Sequence, residues 1–293
     1  MAKVLVIGGT GTVGSATVLE LLKRGEDVRV MTRTPEKVKA LPPGVEGVVG
    51  SLKEPETLAS VFAGVERLFL ITPLDRDEMQ QGIDAVDAAV TAGVDRIIYL
   101  SVHHADAAAC IPHFAAKLPV EGVIQNSGVP YTILRPNNFY QNDLGMLDAI
   151  RAGFYPQPMG SVGLHRVDVR DIAEAAAIAL TESGHAGRTY SLVGPEAFTS
   201  AQTAEVFGRY LGKPVHYTGD DLKAFSAAMH GAMPAWLIRD MTIMYDYFQR
   251  KGLLATQDEI ETMTKLLGHA PRRFEDFVKR ALEGARPSLQ SGT

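Results

Sequence analysis

Apolar residues in this chain come in short runs separated by stretches of helical period, and the alternation holds for the first 135 positions. The opening run, Val4-Leu5-Val6-Ile7, is β-branched and continuous rather than alternating, as a parallel strand covered on both faces requires. Similar runs predict strands over 27–31, 45–49, 67–71, 96–100 and 131–134. Between them, Val18, Leu21 and Leu22 mark one face of a first helix, and Met79, Ile83, Val86 and Val90 mark a helix over 76–91. Pro55 suits the first turn of a helix over 55–63, and Gly128 closes one over 113–126. Strand and helix alternating in this way predict an α/β fold with a doubly wound parallel sheet.

The pattern changes after Arg135. A helix near 140–151 leads into YPQPMGS, whose prolines and glycine mark a loop, and HRVDVRDIAEAAAIAL then predicts a further strand and helix. From about residue 199 the chain reads as short-linked helices punctuated by Gly212, Gly219, Gly252 and Gly268. We therefore expect a sheet domain over 1–154 and a smaller, mostly helical lobe over 155–293, the chain returning to the sheet near 164–182. That lobe is expected to lean over the C-terminal strand ends, where open α/β sheets bind ligands. The last residues, ARPSLQSGT, read as a frayed tail.

Between the first strand and first helix, Gly8, Gly11 and Gly14 fall at the spacing G-x-x-G-x-x-G. One glycine serves the tight turn, one lets backbone N–H groups approach a pyrophosphate, and one permits close helix packing. Because a second strand follows at βαβ distance, dinucleotide binding is a better reading than a bare turn. Arg33 follows the second strand, where an acidic residue would accept from the ribose 2′-hydroxyl of NAD; an arginine pairs with a 2′-phosphate instead, which favours NADP(H) over NAD(H). A solvated arginine capping a turn is the alternative, and Lys37 could share either role.

Composition narrows the classes. A net charge of −5 with no basic run argues against nucleic-acid binding. The single cysteine, Cys110, offers no intramolecular disulfide and no metal-ligand spacing, so no metal is expected. The chain starts directly into a strand and has no apolar segment of membrane-spanning length, so a cytoplasmic location away from membranes is expected.

Residues 103–142 hold further candidates. His113 and Lys117 lie four apart, on one face of the expected helix; a lysine there could bond the nicotinamide ribose and lower the pKa of a neighbouring acid, although such pairs are commonly solvated helix faces. His103 and His104 end the central strand, placed to touch a ligand or to cap the loop. Farther on, Met229, Met233, Trp236, Met241, Met244, Tyr245, Tyr247 and Phe248 suit either a deformable pocket for flat apolar molecules or a helix-packing core.

Taken in order, GGTGTVG, TRTPEK, YLSVHHA, a helix carrying a lysine before GVPYTILRPNNFYQN, and VDVRDIAEAAAIAL resemble the NmrA-like family of atypical short-chain dehydrogenases/reductases, and the likeness continues to RRFEDFVKRAL at 272–282. The resemblance implies a Rossmann domain with Thr10, Gly11, Thr12 and Val13 on the pyrophosphate and Arg33 on the 2′-phosphate. It further implies Thr72 and Pro73 beside the adenosine, Ser101 and Lys117 near the nicotinamide ribose, and Pro136, Asn137 and Phe139 lining the nicotinamide. The chain departs from the superfamily's Ser-Tyr-Lys relay: His113 stands at the tyrosine position and His103 aligns with the serine. Ser51 replaces an aspartate expected near the adenine.

The expectation is an NADP(H)-dependent oxidoreductase that reduces a small apolar or aromatic molecule (a quinone, dye or enone) by hydride transfer, with His113, then His103 or His104, as proton donor. A cofactor-binding redox sensor without catalysis, or a ketoreductase using His113 in place of tyrosine, are the alternatives. The chain is expected to act as a monomer or homodimer.

Overall fold

In the computed structural model the described residues are 3–283, so the tail expected from residue 285 lies outside them. The strands are β1 (Lys3–Ile7), β2 (Asp27–Thr32), β3 (Val45–Val49), β4 (Arg67–Leu70), β5 (Arg96–Leu100), β6 (Tyr131–Pro136), β7 (Phe154–Tyr155), β8 (Arg188–Leu192) and β9 (His216–Tyr217). The helices are α1 (Thr12–Lys23), α2 (Pro35–Lys39), α3 (Leu58–Phe62), α4 (Glu78–Thr91), α5 (Pro112–Ala115), α6 (Lys117–Asn126), α7 (Leu147–Ala152), α8 (Val169–Thr181), α9 (Ser200–Leu211), α10 (Leu222–Met229), α11 (Ala235–Lys251), α12 (Gln257–Leu267) and α13 (Phe274–Glu283). Two compact units divide the described residues: 3–137, 169–193 and 256–270 form one, and 138–168, 194–255 and 271–283 the other. The units thus part at residue 137, not 154, and each gathers more than one segment.

The first unit is built on a seven-stranded sheet of order β3-β2-β1-β4-β5-β6-β8, parallel in every pairing. Strands β1, β4 and β5 bury nearly all their side chains, which is why they carry continuous apolar runs. Strand order reverses between β1 and β4, the switch point at which the C-terminal strand ends open a crevice. Helix α8 fits beneath the sheet because its Ala-rich face is almost wholly buried. Its last carbonyls receive Arg96 Nη1 (2.8 Å to Ala179) and Arg67 Nη1 (2.9 Å to Leu180), and Arg96 Nη1 also reaches the Glu182 carbonyl just beyond the helix (2.7 Å), which places cations at the negative end of the helix dipole.

Two expectations need correction. The strand expected at the start of HRVDVRDIAEAAAIAL is not in the sheet; residues there make only isolated bridges, Phe139 with Val167 and Leu164 with Phe198 and Leu253. The seventh strand is β8, whose sequence RTYSL has an exposed start and lacks the apolar run that betrays its neighbours. The single helix expected over 113–126 is two helices meeting at Ala116. Pro119 supplies the reason: it has no N–H for the Ala115 carbonyl four residues earlier.

The second unit is organised around Arg166, which is fully buried. Its guanidinium pairs with Asp143 (2.9 and 3.0 Å), donates to the Phe139 carbonyl (2.8 Å) and lies 5.4 and 6.0 Å from the ring centroids of Phe274 and Tyr140. Tyr155 and Gln157 each donate to Asp143 at 3.1 Å. Burial pushes the Asp143 carboxyl up, and the Arg166 charge pulls it back. Removing the carboxylate leaves a buried cation without its counter-ion, so Asp143→Ala is expected to cost about 3–5 kcal/mol, read as a lower urea midpoint for the full chain.

Candidate functional site

The site residues of the first unit follow from β1. Gly8 ends the strand at φ +82°, a left-handed conformation that side chains resist, and accepts a 2.9 Å hydrogen bond from the Gly11 N–H that closes the turn. A Cβ on Gly14 would lie 2.2 Å from the Gly8 carbonyl oxygen, and one on Gly9 would lie 2.7 Å from Val30 Cγ1. The loop is therefore pressed against both β1 and β2. Gly11 caps α1 without any side-chain hydrogen bond, while Thr10, Gly11 and Thr12 are exposed. First-turn N–H groups at an uncapped helix end, carrying the positive end of the dipole, fit a pyrophosphate. Val13 and Gly14 are buried beneath that surface.

Arg33 is exposed just beyond β2, and no ion pair engages it among the described residues. Thr72 is buried and Pro73 exposed after β4. Thr72 joins a buried cluster that the sequence does not suggest. Lys117 Nζ donates to Glu78 Oε1 at 2.7 Å and to the Thr72 hydroxyl at 3.2 Å; that hydroxyl in turn donates to Glu78 at 2.7 Å. Lys117 Nζ also stands 5.7 Å from the centre of the Tyr99 ring. Burial pulls the ammonium pKa down, but the neighbouring Tyr99 and Glu78 more than reverse this, so Lys117 is held protonated. Burial likewise keeps the Tyr99 phenol neutral by raising its pKa.

A second network lies beside it. Ser101 Oγ donates to Glu121, which grips Arg135 through two contacts of 2.5 and 2.9 Å; Arg135 also reaches Asp106 at 2.8 Å. Glu121 is four residues beyond Lys117, a spacing that suggests an ion pair along one helix, yet its partner is Arg135 on β6.

His103 is fully buried. Asn137 Nδ2 donates to its Nδ1 at 3.0 Å, so Nε2 carries the proton toward Glu259 Oε1, also at 3.0 Å. Both ring nitrogens are thus taken up by protein partners. His104 adopts φ +56° and stacks on His103 with centroids 3.8 Å apart. His113, half-buried in α5, packs edge-on against Phe114. Pro136 and Asn137 are buried at the end of β6. Phe139 belongs to the second unit, where its carbonyl receives Arg166.

Sequence reading missed Glu78, Tyr99, Glu121 and Glu259. Glu259 is the hardest to find, because TQDE reads as an ordinary capping box and does form one: Glu259 Oε2 accepts the Thr256 N–H at 2.8 Å. The same carboxylate also anchors His103. In the second unit, Met244, Tyr245 and Phe248 are buried core, while Met233 is exposed. The open groove there, about 660 Å³ between α10 and α11, is lined by Leu222, Lys223, Ser226, Ala227, His230 and Thr242, none of them from the expected methionine and aromatic set.

A doubly wound parallel sheet with an uncapped glycine loop at its switch point defines a dinucleotide-binding α/β protein. The NmrA-like family profile matches residues 1–278, and the chain belongs to that family. It is 33% identical to the NAD(P)H azoreductase of Xenophilus azovorans over 281 residues, 94% of this chain and 96% of the relative. Identity to quinone oxidoreductase 2 of Escherichia coli is 29%, over 94% and 97% of the two chains. Among solved structures, the NADPH complex of the E. coli quinone oxidoreductase superimposes with a TM-score of 0.85 (27% identity, 95% and 99% coverage), and triphenylmethane reductase from Citrobacter sp. with 0.86 (28%, 96% and 99%). No described helix is long and apolar enough to cross a membrane.

Burial pushes the Glu259 carboxyl up, but hydrogen bonds from Ser191, the Thr256 N–H and His103 outweigh it and hold the pKa at about 2 instead of 4.5. A depressed folded-state pKa contributes stability that is complete above about pH 4.5 and lost as pH falls toward 2. Glu259→Gln is therefore expected to lower the urea midpoint more at pH 6 than at pH 3.

Proposed function

We propose that this NAD(P)H-dependent oxidoreductase prefers NADPH and reduces a conjugated small molecule of the quinone or dye type. The observation that carries the reading is the pairing of an open pyrophosphate cradle with neighbouring polar side chains that are already satisfied within the protein. Thr10, Gly11, Thr12 and Val13 offer backbone N–H groups to the pyrophosphate, Arg33 supplies its guanidinium to a 2′-phosphate, and Lys117, held protonated by Glu78, presents its charge to the nicotinamide ribose. When bound, the nicotinamide supplies a hydride. The protein's task is then to hold an acceptor in position and exclude water.

Proton handling separates the acceptor classes. An ordinary carbonyl needs an acid poised at its oxygen, and His103 does not offer one while Asn137 and Glu259 occupy its ring. A quinone or a cationic dye disperses the added charge and needs less help, which fits a site without the Ser-Tyr-Lys relay. His113, exposed enough to meet solvent, remains the proton source for acceptors that require one. The relatives named as azo, quinone and triphenylmethane reductases support the same acceptor class.

NADPH oxidation is expected to rise well above background with a panel of quinones and triarylmethane or azo dyes; tight NADPH binding with no acceptor turned over would overturn the reading and favour a cofactor sensor. Arg33→Asp is expected to weaken kcat/KM for NADPH by about ten- to a hundredfold, the worth of one charge-assisted contact, and to leave NADH little changed. Equal losses for both cofactors would remove Arg33 from the 2′-phosphate.

A further inference from the structure

Helix α10 keeps none of its eight residues fully buried. It is held to α11 by the Phe225 ring, set edge-on to Tyr245 with centroids 5.0 Å apart, and between the two helices lies the groove of about 660 Å³. That volume is of the size that small ligands occupy. Leu222, Ser226 and His230 recur every four residues, so α10 turns one face on the groove, with Lys223 and Ala227 alongside. The short side chains of Ser226 and Ala227 leave room at its middle. Lys223 and His230 stand at its two ends, about 10 Å apart along the helix axis at the helical rise per residue.

The polar side chains of this groove are donors with nothing to bind. Among the described residues no hydrogen bond or ion pair engages the side chains of Lys223, Ser226 or His230, and all three can donate. Thr242, on the facing helix, gives its own hydrogen to the Ile238 carbonyl at 2.7 Å. No acidic side chain lines the groove. The two acids that precede α10 are engaged elsewhere: Asp221 accepts the Lys223 and Ala224 N–H groups at 2.8 and 3.0 Å, and Asp220 accepts the Tyr217 hydroxyl. Unengaged donors, one of them a positive charge, set beside the apolar Leu222 and Ala227, match a ligand rich in acceptors and negative at one end.

We propose that the groove between α10 and α11 binds a flat aromatic molecule that carries a carboxylate or sulfonate at one end and a hydroxyl or carbonyl oxygen at the other. Lys223 pairs with the anion, His230 donates to the distant oxygen, and Ser226 and Ala227 admit the ring between the helices. The site lies within the second unit and goes beyond the reductase reading, because it gives that unit a ligand of its own.

Isothermal titration of the full chain, without nicotinamide cofactor, tests it with a hydroxynaphthalenesulfonate whose two groups sit on opposite rings. One saturable site per chain is expected, with neutral naphthol bound about tenfold more weakly or worse, and methanesulfonate, which lacks the ring, not bound. Lys223→Gln should weaken the sulfonate by about tenfold or more and leave naphthol unchanged, and His230→Ala should weaken it by about three- to tenfold. Ser226→Leu should fill the groove and abolish binding; leucine suits an exposed helix, and an unchanged Tm separates a blocked site from a failure to fold. Lys265→Gln, which removes an exposed lysine of α12, should change nothing. Absence of saturable binding, naphthol bound as tightly as the sulfonate, or undiminished affinity in Lys223→Gln and Ser226→Leu would overturn the site.

Discussion

The close approach of α1 to the end of β1 is the constraint on which the first unit depends. Gly14 stands so near the Gly8 carbonyl that no side chain fits between them. This contact aims the helix N-terminus along the sheet edge, and the absence of a capping side chain leaves its first N–H groups available there. Strand order reverses beside it, so the crevice between β1 and β4 opens where those donors point. The residues after β4, β5 and β6 then gather at the same C-terminal sheet edge.

What they bring is mostly charge already neutralised. Lys117 is matched by Glu78 and Arg135 by Glu121, while the His103 ring is held by hydrogen bonds to Asn137 and Glu259. Buried ions are costly unless paired and hydrogen-bonded, and here each finds its partner on a different element. The pairs therefore fix the mutual positions of α4, α6, β6 and α12 as well as the protonation of the side chains. A positively charged Lys117 and a fully bonded His103 are consequences of that pairing. They explain how a site without the superfamily's proton relay can keep a defined electrostatic character.

The second unit uses the same logic once, and more deeply. Arg166, Asp143 and Tyr155 are enclosed by aromatic rings, and the carbonyl of Phe139 is drawn into the network. A single buried ion pair there ties together segments that are distant in sequence.

Much of this architecture was legible from the chain alone. Six strands and the glycine loop follow from apolar runs and turn residues, because a strand covered on both faces must be apolar and a tight turn must have glycine. The family likeness rests on the same motifs, and the matching of residues 1–278 to the NmrA-like family agrees with it. Strand β8 escaped because an edge strand with exposed residues carries no such run, and the break in the α5–α6 region was visible only as Pro119. Tertiary structure alone decided the partners. Glu78, Glu121 and Glu259 each look like a solvated helix carboxylate, and whether such a group meets water or a buried cation depends on which element folds over it. Hydrophobic periodicity records which face is covered; it does not record by what.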